Sequence, residues 1–185
     1  MTTGASELLG YLWTPIVVVT AAGGRGNGQV AVSVHGASIV PQRPRLTVAL
    51  WKDNLTHDLV HHAGAFAVHL LRDDQDELVY HFGLQSGRDV DKLATVPYEI
   101  GVTGTPLLLD CLGVFECRVL NQMDGGDLTV FLGEVVHSAV RRPGNVLWWR
   151  DLRARMPADK LALWEAKLAE SIARSLQTMD RIPRP

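Results

Sequence analysis

VSVHGASIVPQRPRL, residues 32–46, decides the fold. Val30, Val32 and Val34 alternate with Ala31 and Ser33, the period of two expected of a strand buried on one face. The pattern gives way to His35-Gly36-Ala37-Ser38, then Pro41 and Pro44, before an apolar run resumes at Leu46. A chain that needed only to reverse direction would use a tight two-residue turn. A long bend of small residues therefore asks for its own explanation.

Upstream, PIVVVTAA is rich in β-branched residues and ends at GGRGNG, six residues of turn chemistry. With QVAVSV it predicts one hairpin from Pro15 to Val34. Downstream, RLTVALW is another strand, and NLTHDLVHHAG predicts a short helix ending at Gly64, with Asn54 or Thr56 near its start. AFAVHLL is a strand. DDQDELVYHFG has acids at its front and glycine at its end, the polarity of a helix. SGRDVDKL reads as a loop or a single turn. Two long strands flank MDGGD as a hairpin. From Pro157, which suits a first helical turn, Leu161, Trp164, Leu168, Ile172 and Leu176 recur at three- and four-residue steps, one apolar stripe on a helix. The tail RIPRP is expected to fray. Many strands and few helices predict a mainly β antiparallel barrel with peripheral helices, not a doubly wound sheet.

The 185 residues suit one domain or one domain with an appendage. A formal net charge of −2 argues against nucleic acid or an anionic membrane as main partner. The N-terminal segment lacks the basic start and apolar run of a signal peptide, and Ile16–Val19 is far too short to span a bilayer. Cys111 and Cys117 lack metal-ligand spacing and read as buried thiols of a cytoplasmic protein.

No GxGxxG opens a helix, and neither GxxxxGK[ST] nor GxSxG occurs. GGRGNG joins two antiparallel strands, so a flexible tip explains it better than a phosphate cradle. His57 and His61 share a helix face, but without a third ligand they read as solvated histidines rather than a metal pair. His69 and His137 read as satisfied strand residues. Three stretches carry more. In HGAS, small residues let a flat ligand approach backbone N–H and C=O groups, although a barrel bulge also favours glycine. WKDNLTH leaves a strand and enters a helix, placing Lys52, Asn54 and Thr56 where a phosphate is well received; N-capping is the plain alternative. SGRDVDK supplies Arg88 and Lys92 beside flexible backbone, or is simply a solvated loop.

The order VHGASIVPQRP, LTVAL, WKDNLTH, GAFAVHLL, GLQSGRDVDKL, then TGTPLLLDCLGVFECRV and GGDLTVFLGEVV, resembles the flavin reductase-like family with its FMN-binding split barrel of Greek-key antiparallel strands. The resemblance spans roughly Pro15 to Val140. SGRDVDK is similar to a subgroup that includes small reductase components of two-component monooxygenases. It implies a barrel domain over residues 1–150 and a helical extension over 151–185 packed on the barrel or on a dimer partner.

The resemblance implies bound FMN, with NAD(P)H as co-substrate. His35, Gly36, Ala37 and Ser38 would line the isoalloxazine ring, mainly through backbone groups. Trp51, Lys52, Asn54 and Thr56 would face the ribityl chain and phosphate. Ser86, Gly87, Arg88 and Lys92 would close the site, within a homodimer whose cofactor lies at the interface. The implied reaction passes hydride from NAD(P)H to flavin, and the final acceptor stays open between free flavin, a partner monooxygenase and another molecule. One departure stands out: Gly126-Asp127-Leu128 replaces the family's Gly-Asp-His, whose histidine is associated with the nicotinamide side. His81 and Arg88 are the residues able to compensate. Two other classes stay open: an FMN carrier without NAD(P)H turnover, and a non-flavin module holding haem or a deazaflavin on the same barrel.

Overall fold

The computed structural model describes residues 3–179, so the RIPRP tail lies outside it. Strands β1 (Val17–Ala21) and β2 (Asn27–Ala31) form a hairpin, Val17 opposite Ala31 and Ala21 opposite Asn27. The single hairpin expected as far as Val34 stops there. At Val32 and Ser33 the chain changes partner, and β3 (Val34–Gly36) pairs with β4 (Arg45–Trp51), Gly36 opposite Leu46. The switch is stapled by Thr14 N–H donating to Val32 O and Ala49 N–H donating to Ser33 O.

The remaining strands of the main sheet are β5 (Ala65–Leu70), β8 (Gly113–Asp124) and β9 (Leu128–Val140). Strand order is β2-β1-β5-β8-β9-β4-β3, with every pairing antiparallel. The two edge strands, β2 and β3, are consecutive in the chain. Residues 32–33 therefore join the sheet's two edges and close its curl, which gives the interrupted strand a topological cause. The expected antiparallel barrel with a C-terminal helix is the observed architecture.

The curl leaves two cores. Val17, Val19, Leu50, Phe66 and Phe131 fill the inside. Ile16, Val18, Phe82 and Leu152 belong to a second cluster outside. β1 is buried on both faces, which is why it reads as a continuous apolar run rather than an alternation. Each large aliphatic or aromatic side chain so buried contributes about 1.5–3 kcal/mol. Helices α2 (Leu55–Ala63), α3 (Asp76–Leu84), α4 (Trp149–Arg155) and α5 (Ala158–Met179) lie around the sheet. On α5, Leu161 and Trp164 join the outer cluster, and the Trp164 ring packs tilted against Trp149 with centroids 4.8 Å apart. Helix α1 (Thr3–Gly10), α4 and the small ladder of β6 (Tyr98–Ile100) with β7 (Pro106–Leu108) were not expected.

His69 is the wall residue its strand position suggested. Its Nδ1 donates to Val18 O at 3.0 Å, its Nε2 accepts from Leu108 N–H at 3.0 Å, and burial lowers its pKa to about 4. His137 differs: it is exposed on β9. Both cysteines are free and buried. No helix among the described residues is long and apolar enough to cross a membrane.

Candidate functional site

The first turn of α2 organises the site. Asn54 is its N-cap residue, in extended conformation, and its side chain makes no capping bond. His57 N–H donates back to Asn54 O at 3.1 Å, so the donors this turn presents are the opening amides of Leu55 and Thr56, at the positive end of the helix dipole. Thr56 turns inward, where its hydroxyl accepts from Asn27 Nδ2 at 2.9 Å. That contact ties α2 to the start of β2. Gln29 follows two residues on, on the same face of β2. Its Oε1 is buried and has no partner, an acceptor aimed at no protein donor.

A segment thirty residues away closes over this turn. Gly87 is buried against Asn27 so tightly that a Cβ would lie 2.3 Å from the Asn27 amide group. Only glycine fits there. Arg25, in the hairpin tip, donates to Gly87 O at 2.7 Å. Ser86 Oγ accepts from Arg88 N–H at 3.2 Å. Arg88 then crosses the outside of the helical turn, donating to Asp58 Oδ2 at 2.8 Å and to Asp53 O at 3.4 Å. Burial works against ionisation of Asp58, but hydrogen bonds from Arg88 and His57 outweigh it and hold the carboxyl below its usual range.

His57 is not the solvated histidine expected. It is buried, its Nδ1 lies 3.1 Å from Asp58 Oδ1, and its Nε2 lies 2.9 Å from Thr129 Oγ1. A carboxylate only accepts, so Nδ1 carries the proton and Nε2 accepts from the threonine. Burial lowers the pKa of His57 despite Asp58, which favours this neutral tautomer.

The structure therefore brings Asn54, Thr56, Ser86, Gly87 and Arg88 together. It separates the others. The Lys52 ammonium turns to the β8–β9 hairpin, 2.5 Å from Asp124 Oδ1, and borders a cavity of about 320 Å³ with His57, His61 and Gln122. Trp51 is exposed at the end of β4. Lys92 is buried, its ammonium donating to Gly28 O and Phe82 O. The sequence groups it with Arg88 because they share a polar loop, but the side chains diverge. His81 is engaged by Lys92 O at 2.6 Å. Leu128 starts β9 opposite Trp51.

His35, Gly36, Ala37 and Ser38 lie at the far end of β4. Gly36 pairs with Leu46, five residues before Trp51, or about 17 Å along a strand. His35 and Gly36 edge a second cavity, about 250 Å³, with Val34, Arg45 and Phe115. Arg45 Nε is buried there without a partner. A ligand touching both ends is elongated. Asn27, Gln29, Arg25, Asp53 and Asp58 escaped the reading of the sequence. The signal available was the Asn-Gly inside GGRGNG, which reads as a turn until its tertiary neighbour is known.

Residues 9–156 match the flavin reductase like domain. A ferric-chelate reductase (NAD(P)H) of Archaeoglobus fulgidus is 31% identical over 157 residues, 82% of this chain and 92% of that protein. An FMN reductase (NADH) of Agrobacterium fabrum is 35% identical, covering 72% of this chain and 74% of its own. The solved NADH:FAD oxidoreductase SgcE6 of Streptomyces globisporus superposes with a TM-score of 0.66 at 28% identity, over 76% of this chain and 85% of that one. Sheet, motif order and domain match agree over the same stretch, and the chain belongs to the flavin reductase-like domain family.

Proposed function

We propose that this protein binds FMN and transfers hydride to flavin from NAD(P)H. The observation that carries the reading is the convergence of two remote segments, Asn54–Thr56 and Ser86–Arg88, on an uncapped helical turn. Unpartnered amides and a guanidinium there suit a phosphate. The orphaned Gln29 Oε1 suits a hydroxyl donor such as a ribityl chain offers. Small residues at Gly36–Ser38 suit the approach of a flat ring to backbone.

A flavin held there would supply the redox chemistry, as the acceptor of hydride from a reduced nicotinamide. The chain's tasks are to bind, orient and shield. Thr56 and Gly87 fix the distance between β2, α2 and the closing loop. Arg88 would balance the phosphate charge while Asp58 holds its guanidinium in place. Neutral His57 anchors the β8–β9 hairpin through Thr129. Hydride transfer calls for no acid–base pair. A partner monooxygenase is the consumer of reduced flavin in this reading, which the resemblance to two-component systems supports; the NADH-dependent FMN reductase among the relatives supports the flavin and nucleotide classes.

Leu128 favours one second reading, an FMN carrier that does not turn over NAD(P)H. One experiment separates them. The protein is dialysed against FMN, and oxidation of NADH and NADPH is then followed with added FMN. Retention with oxidation is expected. Retention without oxidation by either nucleotide gives the carrier. No retention at micromolar protein defeats both.

A further inference from the structure

Helix α5 lies wholly beyond residues 9–156, yet it reaches both walls of the site. Lys167 Nζ donates to Gly83 O at 2.7 Å and to Gln85 O at 3.1 Å. It thereby holds the carbonyl end of α3 and the start of the loop that carries Ser86–Arg88. Two turns further along, Arg174 grips Asp53 Oδ2 through Nε at 2.9 Å and Nη2 at 2.7 Å. Asp53 immediately precedes Asn54. Arg88 approaches the same residue from its carbonyl side.

The charge at Asp53 matters for what the helical turn can bind. A carboxylate there is favourable while the turn is empty of other anions, because it faces the positive end of the helix dipole. Beside a phosphate it becomes repulsive. Among the described residues, Arg174 is the one cation paired with the Asp53 carboxylate. Arg88 is directed to the backbone of Asp53 and to Asp58.

We infer that Arg174 is a positioning residue for the phosphate end of the flavin site, neutralising Asp53 so that an anion can sit on the first turn of α2. The inference rests on the flavin reading above. It makes α5 part of the cofactor site although the helix lies outside the matched domain. By linkage, flavin occupancy and docking of α5 then support each other.

The test titrates the full chain with FMN and, separately, riboflavin, followed by flavin fluorescence at low salt. The variants are Arg174→Ala, Asp53→Asn and the double variant, with circular dichroism confirming that each is folded. Arg174→Ala is expected to weaken FMN about three- to fivefold, the upper part of the range of a half-exposed charge pair. Riboflavin, which has no phosphate, changes by less than about twofold. Adding Asp53→Asn restores FMN affinity, which a merely structural role for Arg174 would not do. Amide exchange over residues 158–179 slows more with FMN than with riboflavin. Equal losses for both ligands, no loss, or failure of the rescue overturns the inference while leaving flavin binding intact. Absence of flavin binding by the wild-type chain overturns the functional reading itself.

Discussion

Lys92 illustrates how far a side chain can depart from the loop that carries it. It is 4% exposed, with its ammonium between Gly28 O at 3.0 Å and Phe82 O at 2.9 Å. Burial, then the nearby Lys167, lowers its pKa from an ordinary 10.5 to about 7. Between these values the unfolded chain holds the proton and the folded chain does not. Stability therefore rises with pH across that window, and the burial cost is greatest below its lower end. Lys92→Met is expected to flatten this rise. It also adds a pH-independent loss of about 1–3 kcal/mol from the two carbonyls left without a donor. Urea unfolding of both proteins at each end of the window measures the difference; parallel pH dependence would show that Lys92 keeps its proton when buried. In the sequence, Arg88 and Lys92 look alike, two cations in one polar loop. Their difference lies in which tertiary carbonyls and carboxylates are in reach, and spacing does not encode that. Gly87 is the opposite case: its position in SGRDVDK marks it for the site, and the reason, contact with Asn27, appears only when β2 is placed beside the loop.

At the scale of elements, periodicity served where elements were long. The stripe on α5, the boundaries of α2 and the MDGGD hairpin were all legible, the last closed by Gly125 N–H donating to Leu128 O. Helix α4 and strand β6 are seven and three residues long, too short to display a period. The alternation through Val34 was real, but alternation records which face is buried and not which strand is the neighbour. So the exchange of partners at Val32 and Ser33 stayed hidden. The packing of α5 on α3 depends on one small residue. A Cβ on Gly83 would lie 2.6 Å from the Trp164 ring. Gly83→Ala is expected to force the helices apart and cost about 1–3 kcal/mol, the range of overpacking. Thermal unfolding reads the loss. If α5 positions the phosphate end of the site, FMN affinity falls in the same variant. An unchanged midpoint would mean that the helices separate without cost.

At the scale of the whole molecule, two features seek a partner. The α5 stripe is partly covered through Leu161 and Trp164, but Ile172 and Leu176 are 51% and 67% exposed. Tyr11 and Leu12 are exposed as well, and Ile39 stands clear of the protein beside the HGAS segment. Ile172 and Leu176 are one turn apart on the same helix, and contiguous exposed apolar surface is what marks association surfaces. The candidate ring and phosphate regions also lie at opposite ends of β4. A homodimer whose sites draw on both chains answers both features, and is the assembly the family resemblance implies. Burying Ile172 and Leu176 would contribute about 1.5–3 kcal/mol each. Sedimentation at low micromolar concentration is expected to show a dimer, and Ile172→Glu with Leu176→Glu to shift it toward monomer. The same variant, titrated with FMN, then asks whether the partner matters to the site. A monomeric form that binds FMN as tightly as the wild type would sink the shared site, and Arg88 would have to serve the cofactor of its own chain.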